Sequence, residues 1–138
     1  MTRNTSAVGQ LGEIAVMQRV TKAGWQVLIP YGNSAPYDLV AEKNGRMVRL
    51  QIRTTRSNGN FLQVNCRMKN NRVRLEANNF DFLIVYELNS ESAFVIPVAE
   101  IKGKAMFHIR LKAARSGQVK LTHPAADYCE RWEKLLVL

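Results

Sequence analysis

Residues 37–54 decide the fold, because their sequence YDLVAEKNGRMVRLQIRT has the pattern of a β-hairpin. Asn44-Gly45 is the dipeptide most typical of a two-residue type I′ turn, in which both residues have a positive φ. With these two residues in the loop, Lys43 pairs with Arg46 and the register of every further pair follows. The register places Asp38 opposite Gln51, so the two side chains should point to the same face.

The two faces of this predicted hairpin differ in character. Because side chains alternate along a strand, one face carries Leu39, Ala41, Val48, Leu50 and Ile52, which are all apolar. The other face carries Asp38, Gln51 and Arg53 at the open end of the hairpin. Side-chain oxygens on opposed residues, whose Cβ atoms lie roughly 5 Å apart, can bind one small cation. We therefore expect a polar site at this end.

The flanking sequence supplies the other elements. Apolar spacing predicts a helix over residues 7–24, with a buried stripe made of Val8, Leu11, Ile14, Ala15 and Met17. Short strands are predicted at residues 25–30, 62–66 and 106–112. Residues 80–86 form a continuous apolar run, which indicates a strand buried on both faces, with residues 93–97 as its hairpin partner.

The C-terminal residues are predicted to form a second helix. Pro124 suits the first turn of a helix, and the side chains expected on its buried side are Tyr128, Trp132, Leu135 and Leu136. The order of elements predicts an α/β sandwich of the α+β type, in which helices flank a mixed central sheet. The length of 138 residues suits a single domain over residues 1–138.

The net charge of +9 is concentrated in two blocks without acidic residues. Residues 43–74 contain nine bases, and residues 101–120 contain six. Arg and Lys neutralise phosphates, so the blocks favour nucleic acid as a partner. A membrane surface would instead select a basic amphipathic helix. The candidate DNA-binding residues are Arg56, Arg67, Lys69, Arg72, Arg74, Arg110, Lys112 and Arg115.

Several features predict a cytoplasmic protein that does not enter a membrane. The N-terminal residues lack the apolar core of a signal peptide, and no apolar run is long enough to span a bilayer. The two cysteines, Cys66 and Cys129, are too few for a disulfide framework.

Three segments resemble the PD-(D/E)XK nuclease superfamily: GQLGEIAV at residues 9–16, PYDLVAEKNG at 36–45 and RLQIRTT at 49–55. The pattern is a helical Glu, an Asp at the start of one hairpin strand, and an acid-x-Lys on the next. Glutamine in place of that acid is most similar to the small homing endonucleases of bacterial group I introns. The likeness extends through residues 80–101 to the C-terminal segment, and so covers nearly the whole chain.

The resemblance implies a restriction-endonuclease-like core and a set of site residues. Glu13 and Asp38 would be acidic ligands of Mg²⁺, for which Mn²⁺ could substitute. Gln51 would add its amide oxygen, and Ile52 its backbone carbonyl. Arg53 would stand at the position of the catalytic Lys. The implied reaction is metal-dependent hydrolysis of phosphodiester bonds in double-stranded DNA.

Arg53 departs from the family pattern and leaves three alternatives open. A lysine can lose its proton and activate water, whereas an arginine stays protonated, and loss of general-base help typically costs 10²–10⁴-fold in rate. The chain could be a homing or phage-type endonuclease, a catalytically weak or inactive DNA-binding relative, or a nuclease of branched DNA such as Holliday junctions. A palindromic target would require a homo-oligomer, either a dimer or a tetramer.

Overall fold

The computed structural model describes residues 5–32, 34–66, 79–112 and 122–137. In chain order these residues form the helix α1 (Thr5–Lys22) and the strands β1 (Gln26–Leu28), β2 (Leu39–Lys43), β3 (Arg46–Thr55), β4 (Phe61–Asn65), β5 (Phe82–Glu87), β6 (Ser92–Pro97), β7 (Met106–Arg110) and β8 (His123–Pro124). Short 3-10 helices lie at Val98–Glu100, Ala125–Asp127 and Trp132–Leu136. Within the described ranges, no helix has the length and apolar character needed to cross a membrane.

The strands form two mixed sheets. The larger sheet has the order β1-β2-β3-β5-β6, with β3 and β5 parallel and all other neighbours antiparallel. The smaller sheet has the order β4-β7-β8, with β4 and β7 antiparallel and β7 and β8 parallel. The predicted α+β class with a mixed central sheet is therefore confirmed.

Strand β5 shows how the layers stack, because all six of its residues are buried. Ile84 belongs to a core cluster that contains Val16 of α1. Val85 belongs to a second cluster that contains Leu62 and Phe107 of the smaller sheet. Helix α1 therefore covers one face of the larger sheet and the smaller sheet covers the other.

The predicted buried face of α1 is wrong at two positions. Leu11 and Ile14 are 55% and 58% exposed, whereas Val16 and Val20 are fully buried. The reason is a close approach at Gly12, where an added Cβ would lie 1.9 Å from Oγ1 of Thr54. The helix turns its glycine toward β3, and this brings the residues four and eight positions further along into the core.

The predicted C-terminal α-helix is also wrong. Glu130 adopts a φ of 53°, outside the helical region, and its N–H donates to the carbonyl of Ala93 at 2.7 Å. The N–H of Val95 donates in turn to the carbonyl of Tyr128 at 2.9 Å. These bonds to the edge of β6 replace helical hydrogen bonds. Three of the four predicted side chains are nevertheless buried, Tyr128, Trp132 and Leu135, whereas Leu136 is 54% exposed.

Replacing Gly12 with alanine should destabilise the fold by about 1–3 kcal/mol, as overpacking usually does. Gly9→Ala is the matched control, because a Cβ there meets nothing within 4 Å, and it should stabilise the helix by about 0.5–1 kcal/mol. Denaturant unfolding measures both free energies. Adding Thr54→Ala to Gly12→Ala should recover part of the loss, and equal effects at the two glycines would contradict the contact.

Candidate active site at the open end of the hairpin

The hairpin turn forms as the sequence predicts. Asn44 and Gly45 have φ values of 52° and 84°, as a type I′ turn requires. Lys43 pairs with Arg46, and the register continues regularly to Leu39 opposite Leu50. The five apolar side chains predicted to face the core are all buried.

Asp38 departs from the predicted pairing with Gln51. Its N–H donates at 2.9 Å to the carbonyl of Leu50, the residue that already pairs with Leu39, so the chain forms a β-bulge here. Tyr37 packs against the second core cluster whereas Leu39 belongs to the first. In a regular strand, residues two positions apart point to the same face. The extra residue of the bulge lets Tyr37 and Leu39 pack on opposite faces. The prediction that Asp38 lies directly opposite Gln51 is therefore wrong.

The bulge directs the Asp38 carboxylate to the backbone of β3. Its Oδ2 accepts a hydrogen bond of 2.7 Å from the N–H of Ile52. The N–H and C=O of one strand residue point to the same edge, so the carbonyl of Ile52 also faces the edge where β2 begins. The carbonyls of the odd-numbered residues Arg49 and Thr55 instead point toward β5, where they accept hydrogen bonds from the N–H groups of Asp81 and Leu88. An Ile52 carbonyl beside Asp38 is the arrangement that a backbone ligand needs.

Gln51 and Arg53 point away from α1, because they alternate with the core residues Leu50 and Ile52. Both side chains are half-buried. Burial lowers the pKa of Arg53, while the nearby Asp38 carboxylate and Cys66 thiol raise it. The guanidinium nevertheless stays protonated, because the pKa of an arginine side chain lies far above neutral pH. It therefore supplies a fixed positive charge beside Asp38.

Glu13 brings a second carboxylate to the same place. Its pKa is raised, first by burial and then by the charge of Asp38. The pKa of Asp38 is also raised, because burial outweighs the hydrogen bond from Ile52 and the charge of Arg53. The surroundings of these two carboxyl groups thus disfavour their ionisation. A bound cation would stabilise their charged state.

The available ligands are oxygens. Among the described residues, no three His, Cys, Asp or Glu side chains come together as a metal cluster. The ligand set expected from the family resemblance consists of two carboxylates, the Gln51 amide and the Ile52 carbonyl. This set fits Mg²⁺, which commonly takes one or two carboxylates and keeps several waters.

A cleft of about 570 Å³ lies beside these groups. Glu13, Arg53 and Arg56 supply its charged side chains, while Asp38 and Gln51 are not among its lining residues. The structure thus places Glu13 and Arg53 in one cleft and Asp38 at its side, within electrostatic reach of both. Of the candidate ligands, Glu13 and Ile52 line the cleft directly.

Three of the candidate DNA-binding residues lie in the described part of the chain. Arg56 is exposed, and its Nη1 donates to Oδ1 of Asn89 at 2.9 Å. Nη1 of Arg110 donates to Oγ1 of Thr122 at 2.6 Å, and Lys112 is exposed. The other five fall outside the described residues, namely Arg67, Lys69, Arg72, Arg74 and Arg115.

Sequence reasoning missed Glu87, whose side chain is buried. It accepts hydrogen bonds from the backbone N–H groups of Ser57, Asn89 and Ser90 and from the Ser90 hydroxyl. These bonds join the segment after β3, which carries Arg56 to the rim of the cleft, to the turn after β5. The signal in the sequence is an acid that ends an apolar run and precedes the turn LNSES.

The chain belongs to the PD-(D/E)XK endonuclease family, whose model matches residues 3–132. The resemblance seen in the hairpin sequence is thereby confirmed. The structure of a bacterial homing endonuclease, I-Ssp6803I, is similar with a TM-score of 0.74 and 27% sequence identity, over 97% of this chain and 94% of that chain.

A second solved structure shares the fold. It is Hjc, a Holliday junction resolvase from the archaeal hyperthermophile Archaeoglobus fulgidus, with a TM-score of 0.55 and 14% identity. It covers 94% of this chain and 97% of that chain. No curated protein sequence gives a significant match.

Glu13→Gln should stabilise the metal-free protein at neutral pH. A raised pKa means that the ionised carboxylate disfavours the fold, so the gain should be absent below the unfolded pKa, near 4.3, and should grow as pH rises through the folded value. Urea unfolding across this pH range measures the effect. Glu133→Gln, at an exposed acid of the C-terminal segment, is the control. An equal gain at low and neutral pH would contradict the assignment.

Proposed function

We propose that this chain is a single-domain, metal-dependent endodeoxyribonuclease of the homing or phage type, which hydrolyses phosphodiester bonds in double-stranded DNA. The observation that carries the proposal is the convergence of Glu13, Asp38 and Arg53 at the open end of the hairpin. Family membership and the likeness to a homing endonuclease support it. The net charge of +9 suits a polyanionic substrate.

Mg²⁺ would be held by the carboxylates of Asp38 and Glu13, with the Gln51 amide oxygen and the Ile52 carbonyl completing the protein ligands. Mn²⁺ prefers similar oxygen ligands and could substitute. When bound, such an ion supplies a Lewis acid for the phosphate and lowers the pKa of a bound water. Asp38 is already oriented for this task, because the Ile52 N–H fixes one of its oxygens.

Arg53 would bind the phosphate and would not act as a base. Its guanidinium would place a positive charge beside the phosphate oxygens, which a lysine would also supply. It cannot take a proton from water at neutral pH. Because Arg53 cannot act as a base, we keep a second candidate function, namely DNA binding with slow cleavage or none.

The basic residues that lie at the rim of the cleft and outside it would bind the flanking duplex. Arg56 at the cleft rim and Lys112 beyond the end of β7 would contact phosphates, and Arg110 on β7 would also contact the DNA. The five candidates beyond the described residues would add to this contact. We further propose that the protein acts in the cytoplasm as a homo-oligomer, either a dimer or a tetramer, since a symmetric target needs a symmetric protein.

Asp38→Asn should abolish cleavage while duplex affinity is kept or increased, because the substitution removes a metal ligand and a negative charge that faces phosphate. Asparagine can still accept the Ile52 hydrogen bond, so the fold should be retained. The assay incubates labelled duplex and four-way junction with Mg²⁺ or Mn²⁺, and Asp127→Asn, at an exposed acid, is the control. Cleavage of the junction alone would indicate a resolvase, and binding without cleavage would indicate an inactive relative.

Arg53→Lys should raise the cleavage rate at saturating Mg²⁺, by up to roughly 10²-fold if water activation is what the wild type lacks. Duplex affinity should hardly change, because the formal charge is conserved. Single-turnover kinetics with a matched binding assay separates the two effects. A measurable wild-type rate that falls in Arg53→Lys would show that the guanidinium is an adopted phosphate clamp.

A further inference from the structure

Strands β4 and β7 form a two-stranded antiparallel ribbon at one side of the smaller sheet. Its inward-facing residues belong to the second core cluster, namely Leu62, Val64, Phe107 and Ile109. Because side chains alternate, the remaining residues of both strands point away from the core. Among the residues that the structure describes, the outward-facing side chains of the ribbon belong to neither core cluster.

The outward face carries side chains that can recognise bases. Gln63 lies opposite His108, Asn65 opposite Met106, and Phe61 opposite Arg110. Gln63 and Asn65 are exposed, and amide side chains pair with the major-groove edge of adenine. Arg110 can bind guanine in the same groove, and Thr122 already holds its guanidinium at 2.6 Å.

The charge of this face suits DNA. Residues 61–65 and 106–110 contain no Asp or Glu, and Lys102, Lys104 and Lys112 flank β7 in the sequence. All three lysines are exposed. Neutral amides together with Arg110, on a face without acidic side chains, suit a surface that meets both bases and phosphates.

One end of the ribbon borders the candidate active site. Cys66 directly follows β4, and its N–H donates to the carbonyl of Ala105 at 2.9 Å. Burial raises the pKa of the Cys66 thiol to about 11, and the charges of Arg53 and Lys104 partly oppose this. The thiol is therefore near Arg53, which lines the candidate cleft, so β4 ends close to that cleft.

We propose that the outward face of the β4–β7 ribbon reads base sequence in the major groove of the DNA, with Gln63, Asn65, His108 and Arg110 as the reading side chains. The proposal rests on the proposed DNA-cleaving function and names how its target is chosen. The major groove is about 12 Å wide and admits a two-stranded β-ribbon. Bases read by this ribbon would flank the bond that is cut.

The test is selection of bound duplexes from a randomised DNA library by the wild type and by Gln63→Ala, Asn65→Ala and His108→Ala. Each variant should lose preference at a few adjacent positions and bind the selected site roughly 5- to 100-fold more weakly, the range expected for one base contact. The dependence of affinity on salt should stay unchanged for Gln63→Ala, since no phosphate contact is lost. Gln26→Ala, at an exposed glutamine of the distant edge strand β1, is the matched control.

Unchanged preferences in all three variants would overturn the ribbon proposal and leave DNA binding intact. A wild type that binds duplex without enriching any sequence would overturn it in the same way. Absence of salt-dependent binding to any duplex would instead overturn the proposed function. Melting temperatures close to that of the wild type would show that the substitutions act on recognition and not on folding.

Discussion

The register of the β2–β3 hairpin is the constraint on which the rest of the structure depends. The positive φ angles of Asn44 and Gly45 set it locally, without help from distant residues. In a strand, a shift by one residue exchanges the two faces. The same shift would expose Leu50 and Ile52, which are buried, and would bury Gln51 and Arg53. Burial of the apolar face therefore fixes the polar face as well.

The candidate site occupies the place where a regular ladder stops. Along β3, alternate residues direct their backbone groups to β2 or to β5, and on the β2 side the bulge at Asp38 ends the regular pairing. A backbone group without a partner is costly when buried. The Asp38 carboxylate satisfies the N–H of Ile52, and the carbonyl of that residue faces the same edge. One break in the sheet thus provides both a fixed acid and a backbone oxygen.

The parts of the fold that the sequence predicts are those specified by neighbouring residues. The hairpin turn and the doubly buried strand β5 are of this kind. The face of α1 was mispredicted because Leu11 and Ile14 fit the apolar spacing, whereas contact with Thr54 at Gly12 decides which side faces the sheet. The prediction of a C-terminal helix is wrong because this segment forms hydrogen bonds to β6, which is distant in sequence, in place of helical hydrogen bonds. Glu13 is found only by family resemblance, since a helical acid is normally exposed.

The direction of the pKa shifts separates acids that hold the fold together from acids available for chemistry. Burial raises the pKa of Glu87 and Glu130, but several hydrogen bonds to each outweigh it and leave the pKa lowered. At Glu13 and Asp38 the pKa stays raised. The first pair is stabilised as carboxylate by this chain alone, and it ties turns and edges in place. The second pair is only partly stabilised within the fold, and a bound cation would supply the missing charge. Perturbed acids of this kind are typical of functional sites, and the fold tolerates their cost next to a fixed guanidinium.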